Sequence, residues 1–101
     1  MVEFKSKYWF EICDILSKHE FNYKSKGYYY WDFAINYVIE NGINFKMEEI
    51  YNIIARKNND TRQKVERAMR TAKKSQYGKG NKELLRLIVF EVLEEWRKNN
   101  G

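Results

Sequence analysis

Residues 51–74 read YNIIARKNNDTRQKVERAMRTAKK, and this stretch decides the fold. In its first half Tyr51, Ile54 and Ala55 fall at i, i+3 and i+4; in its second, Val65, Ala68, Met69 and Ala72 fall at i, i+3, i+4 and i+7. Both spacings mark one face of an α-helix. Between them lies only the polar cluster Lys57-Asn58-Asn59-Asp60. A helix-turn-helix needs a small residue where its helices cross, a turn residue that tolerates positive φ, and apolar residues inside the second helix. With Tyr51 as the first position of such a unit, Ala55 is the small residue, Asn59 falls in the turn, and Ile54, Val65 and Ala68 take the packing positions. Asparagine enters the left-handed region more readily than most residues, so the turn is chemically reasonable. The stretch predicts a helix-turn-helix over about residues 46–75, with Asp60 capping its second helix and Gln63 as capping-box partner.

The flanking sequence adds three more helices. Trp9, Ile12, Cys13 and Leu16 mark one face of a helix over about residues 5–18, ended by His19, Glu20 and Asn22. Tyr30, Phe33, Ala34, Tyr37 and Val38 mark a second, approached through Gly27 and closed at Asn41-Gly42, where glycine accepts the conformation that ends helices. Asn44 is the expected cap of the helix carrying Met47, Ile50, Tyr51 and Ile54, with Glu48 and Glu49 complementing its positive end. Asn81 is expected to cap a last helix, whose Leu84, Leu85, Ile88, Val89, Val92 and Trp96 form the widest apolar face. No period of two persists, so the expectation is an all-α, five-helix compact domain, residues 1–101 forming a single unit.

Composition narrows the function classes. At 17% aromatic and 44% hydrophobic residues the 101-residue chain can fill a core, and 33% charged residues give it a globular surface. The single Cys13 cannot close an internal bridge, and with only His19 beside it there is no set of ligands for zinc; no metal and no cofactor is expected. No apolar run approaches the length of a membrane span, and the start MVEFKSKYWF lacks a signal peptide's apolar core, so a cytoplasmic protein is expected. The net charge of +5 is unevenly placed: residues 61–80 carry seven bases and one acid, residues 1–60 eight and nine, and residues 81–101 four and four.

That excess lies on one helix. Stepping about 100° per residue from Val65 puts Gln63, Arg67, Arg70 and Lys74 within about 40° of the opposite pole, with Arg62, Lys64, Glu66, Thr71 and Lys73 flanking them. Arginine's planar fork matches guanine O6 and N7, glutamine matches adenine, and glutamate accepts from cytosine. A basic helix face is more often a solvated surface than a binding one. Here the turn spacing and the concentrated charge favour double-stranded DNA as partner.

The residues also resemble a family. Val65-Glu66-Arg67-Ala68-Met69-Arg70-Thr71-Ala72, preceded by Ile54-Ala55 and a polar turn with threonine, resembles the V-E-R-A-x-R-x-A recognition helix in the DNA-binding effector domain of the sporulation initiation regulator, stage zero sporulation protein A. Lys26-Gly27-Tyr28-Tyr29-Tyr30, with Ala34-Ile35, is similar to that family's K-G-Y-x-Y and A-I signature. The resemblance implies an all-helical effector domain that reads the major groove of a promoter element with its fourth helix. It places Lys64, Glu66, Arg67 and Arg70 at base-reading or phosphate-contacting positions, and Thr71 where the best-known members carry histidine. The full regulator's receiver domain has no counterpart in the sequence. Of the segment that joins the last two helices and helps meet the polymerase sigma factor, only residues 75–80 remain. The expectation is a DNA-binding transcriptional regulator that represses or competes for sites, with two copies on adjacent half-sites.

Other readings carry less. His19 has no Ser, Cys or Asp at motif spacing, and Glu11 with Asp14, or Glu94 with Glu95, look like ordinary exposed helix positions; no enzyme activity and no small-molecule substrate is expected. The aromatic run Tyr28 to Trp31 must point around most of a helix, so some of it is core. Gly78-Lys79-Gly80 is too short for a nucleotide-binding loop, but Lys79 can meet a DNA phosphate. The competing class is a non-catalytic protein-interaction or dimerisation module that modulates another protein, with Phe90 and Trp31 as candidate contacts.

Overall fold

The computed structural model describes residues 6–73 and 80–101. Its apolar spacings become five helices in chain order: α1 (Trp9–Lys18), α2 (Lys26–Asn41), α3 (Met47–Asn58), α4 (Arg62–Ala72) and α5 (Asn81–Asn100). No strand occurs among the described residues, where an isolated bridge pairs Phe21 with Lys73. No described helix is long and apolar enough to cross a membrane.

Local chemistry sets the ends of these helices, and several differ from expectation. α1 starts at Trp9, later than residue 5, and buries Glu11, Ile12, Ile15 and Leu16, while Trp9 is 42% exposed and Cys13 half-buried. Glu11 is therefore not an exposed acid: its carboxylate accepts from Asn99 Nδ2 at 2.9 Å, where α1 meets the end of α5. α1 closes on Glu20 at φ 60, with Phe21 N–H donating to Leu16 and Glu20 N–H to Ser17, the pairing that satisfies the last carbonyls of a helix. Ser25 caps α2, its Oγ accepting from Tyr28 N–H. Gly42, at φ 102, ends α2 in a region that favours glycine.

The cap of α3 is Lys46 rather than Asn44, because Phe45 turns its ring into the core and keeps the approach extended. The cap of α4 is Thr61 rather than Asp60, its hydroxyl accepting from Lys64 N–H at 3.2 Å. Gln63 consequently has no capping-box role. Asn81 does not cap α5: Gly80 does, while Asn81 is buried in the first turn and donates from Nδ2 to the Tyr51 hydroxyl at 3.0 Å.

Helix α2 occupies the middle, packing against α3, α4 and α5, while α1 lies on α5, and α4 rests against α2 and α3. The centre is Trp31, fully buried, with its ring edge-on to Phe21 at 5.1 Å. It is thus no surface contact. The inward stripe of α2 is Gly27, Tyr30, Trp31, Ala34, Ile35 and Val38, leaving Phe33 and Tyr37 half-buried and Tyr29 exposed. At the far side Tyr8 meets Trp96 edge-on at 5.6 Å, joining the start of α1 to α5.

Candidate nucleic-acid interface

The outer side of α4 brings together most of the residues singled out in the sequence. Val65, Met69 and Ala72 are buried and Ala68 is half-buried, so the helix can present only its other side to solvent. On that side Arg62, Gln63, Lys64, Glu66, Arg67, Arg70 and Thr71 are all exposed. Lys74 and Lys79 lie outside the described residues. Lys73 departs from expectation: it leaves the helix in an extended conformation and is buried, which pushes its ammonium pKa down. Two exposed side chains engage their own helix. Arg70 pairs with Glu66 at 3.3 Å, and the Thr71 hydroxyl donates to the Arg67 carbonyl at 2.8 Å. Among the described residues no ion pair holds Arg62, Lys64 or Arg67.

The inner side of α4 is held at both ends. Asn59 stands at φ 52, ψ 48, the left-handed geometry expected of the turn residue, and Asp60 N–H donates to the Ala55 carbonyl at 2.9 Å. The last four carbonyls of any α-helix lack partners inside it. In α4 two of these accept from elsewhere: Met69 from Trp31 Nε1 at 2.7 Å, and Ala72 from Asn22 N–H at 2.9 Å. Midway, Gly27 of α2 lies so close that a Cβ there would sit 2.1 Å from the Ala68 carbonyl oxygen. Only a residue without a side chain permits this crossing.

Asp60 ties the turn to the same helix. Its Oδ2 accepts from Lys26 Nζ at 3.2 Å and from the Tyr30 hydroxyl at 3.0 Å, and its Oδ1 accepts from Thr61 N–H at 2.9 Å. The Thr61 amide, helped by Lys26 and Tyr30, holds the Asp60 carboxyl below the usual carboxylate range. A depressed folded pKa contributes stability above the unfolded value, about 3.9, that is lost as pH falls through the folded one. Asp60→Asn is therefore expected to lower the urea midpoint at neutral pH and to flatten its fall below about pH 4. Parallel midpoint curves for the two proteins would contradict the clamp.

Lys26, Gly27 and Tyr30 thus share one task, holding α4 and its turn, which is a physical reason for the K-G-x-x-Y spacing on α2. The model of the family described as sporulation initiation factor Spo0A C terminal matches residues 12–101. The chain belongs to that family. The match runs from within α1 to the end of α5, across the whole set of helices that supports α4. Spo0A C-terminal domains are DNA-binding regulatory domains of sporulation, and the family is not an enzymatic one. Comparison with curated proteins and with solved structures returns no match.

Within this Spo0A C-terminal domain His19 caps the end of α1, its Nε2 lying 2.6 Å from Glu91 Oε1, so it joins α1 to α5. Arg56 and Lys57, absent from the contacts expected of the sequence, are exposed on the last turn of α3 beside the turn into α4. The role of Asp60 as a partner of α2 is absent from them too. The signal for the first was present, two adjacent cations just before the polar turn. For the second there was none, since Lys26 and Asp60 lie far apart in the chain.

Proposed function

We propose that this domain is a sequence-specific reader of double-stranded DNA that lays α4 in the major groove. The reading unit is the helix-turn-helix of α3 and α4, about residues 46–75, within a single domain. One observation carries the reading: α4 buries Val65, Met69 and Ala72 against the domain and exposes Gln63, Glu66, Arg67 and Arg70 together on its other side. Arg67 and Arg70 are assigned to guanine O6 and N7, Gln63 to adenine, and Glu66 to the cytosine amino group. Arg62, Lys64, Thr71, Lys74 and Lys79 are assigned to the backbone, where cations and hydroxyls fix register without reading sequence. The exposed Glu66–Arg70 pair is worth only about 0.3–0.5 kcal/mol, so releasing it on DNA costs little.

A single small module offers about 600–1,000 Å² of contact, so two copies on adjacent half-sites suit a promoter element better than one. Bound in this way, the domain competes with polymerase for the same DNA. Selection of binding sites from random duplexes tests the reading. One enriched motif is expected, bound with an affinity that falls steeply as salt rises from about 50 to 200 mM. A pool that stays unenriched would remove the claim of sequence reading.

A further inference from the structure

The outward pole of α5 carries an apolar pair that the core does not use. Leu84, Leu85, Ile88, Val89 and Val92 are buried on its inner side. At about 100° per residue, Phe90 stands opposite their mean direction. Its ring is 56% exposed, and Leu87, one turn earlier, is 40% exposed. Four exposed charged residues lie within about 40° of Phe90 on the same face: Glu83, Arg86, Glu94 and Arg97.

Their order is acid, base, Phe90, acid, base. If a second copy of the helix lies antiparallel across a two-fold axis at Phe90, each residue faces the one equally far on the other side. Glu83 then meets Arg97 of the second copy, and Arg86 meets Glu94. A parallel arrangement would set each charge against its own kind. The strip is therefore complementary to itself in the sense that a two-fold interface requires. The inner two of these charges are held only by exposed contacts: Glu94 pairs with Lys98 at 3.5 Å with both side chains exposed, and the exposed Arg86 rests over the Phe45 ring at 5.8 Å.

We propose that α5 is a homodimer interface, two copies of this chain packing α5 antiparallel with Phe90 and Leu87 at the centre and the pairs Glu83 to Arg97 and Arg86 to Glu94 on either side. This surface contains no residue of α4, so the proposal stands apart from the reading of DNA. A contact between single helices falls at the small end of interface sizes, below about 1,200 Å², so association depends on concentration.

Sedimentation equilibrium of the chain from about 10 µM to 1 mM reads it, a range suited to a weak interface. A monomer–dimer equilibrium is expected, weakened at least about tenfold by Phe90→Glu, since an unpaired charge at the centre of a packed contact is strongly disfavoured. Phe90→Glu should keep the wild-type melting temperature and its affinity for a single DNA half-site, because Phe90 lies outside the core and away from α4. Arg86→Glu and Glu94→Arg should each weaken association, and an equal mixture of the two should restore it, because acid then faces base at both positions. A wild type that stays monomeric throughout, a dimer that survives Phe90→Glu, or a mixture no better than its components would overturn the proposal. Loss of half-site binding in wild type and Phe90→Glu alike would count against the reading of DNA and leave the dimer standing.

Discussion

Trp31→Ala is expected to lower the stability of the domain by about 3–5 kcal/mol, enough to bring a small domain near unfolding at ambient temperature. The ring is fully buried at the centre of the helices and touches Phe21 edge-on. Its removal leaves a cavity that α2, packed on three sides, cannot close. Part of the loss is polar: the indole N–H donates to the Met69 carbonyl, one of the groups that the end of α4 cannot satisfy by itself. Trp31→Phe helps to separate the two contributions, because it keeps most of the apolar volume while removing the donor. About 1–3 kcal/mol is expected for that change, the cost of leaving a buried acceptor without a partner. Urea unfolding of both variants checks the order. A Trp31→Phe variant as stable as the wild type would mean that the bond to Met69 contributes nothing.

Gly27→Ala offers a sharper contrast, because two rules disagree about its sign. Inside a helix alanine is favoured over glycine by about 1 kcal/mol, so propensity alone predicts a more stable domain. At this position the added Cβ would stand 2.1 Å from the Ala68 carbonyl oxygen, 2.7 Å from its carbon and 2.9 Å from the Ala72 Cβ. The obstructing atoms are mostly backbone of α4 and cannot rotate away, so α2 and α4 must part. Overpacking of this kind costs about 1–3 kcal/mol or more, and contact with backbone puts this case at the upper end. The net expectation is a loss of about 2 kcal/mol, or roughly 8–16 °C in Tm for a domain of this size. Because the displaced element is α4, duplex binding should fall even at temperatures where the variant is fully folded. A variant as stable as the wild type would show that the crossing is looser than described.

The sequence made the helices legible, and the turn as well, because both follow from local spacing. Asn59 could be assigned to the turn since few other residues accept its backbone geometry, and it adopts that geometry. The outer face of α4 was legible for the same reason, once Val65 was taken as buried. What escaped the sequence were the partners that distant segments provide. Asp60 and Thr61 are both good caps and adjacent; Thr61 takes the role because Lys26 and Tyr30 engage Asp60. Asn81 is a good cap too, but the Tyr51 hydroxyl draws it inward and leaves the position to Gly80. Lys73 reads as one more cation on a basic helix, yet the chain has already left the helix there and pairs with Phe21. On α2 the aromatic run offers a plausible ring to every direction, and only packing against three helices selects Tyr30 and Trp31 over Phe33 and Tyr37.

The most direct test of α4 as the reading element is the affinity of Arg67→Ala for the selected duplex, measured beside wild type on that duplex and on one with its contacted guanine replaced. Loss of a bidentate contact to guanine is worth about 1–3 kcal/mol, so the variant should bind the selected site about 5- to 150-fold more weakly. It should also cease to distinguish the two duplexes, whereas Lys64→Ala should weaken both alike. Arg67→Ala binding the selected site as tightly as wild type, with discrimination intact, would contradict the placement of α4 in the groove.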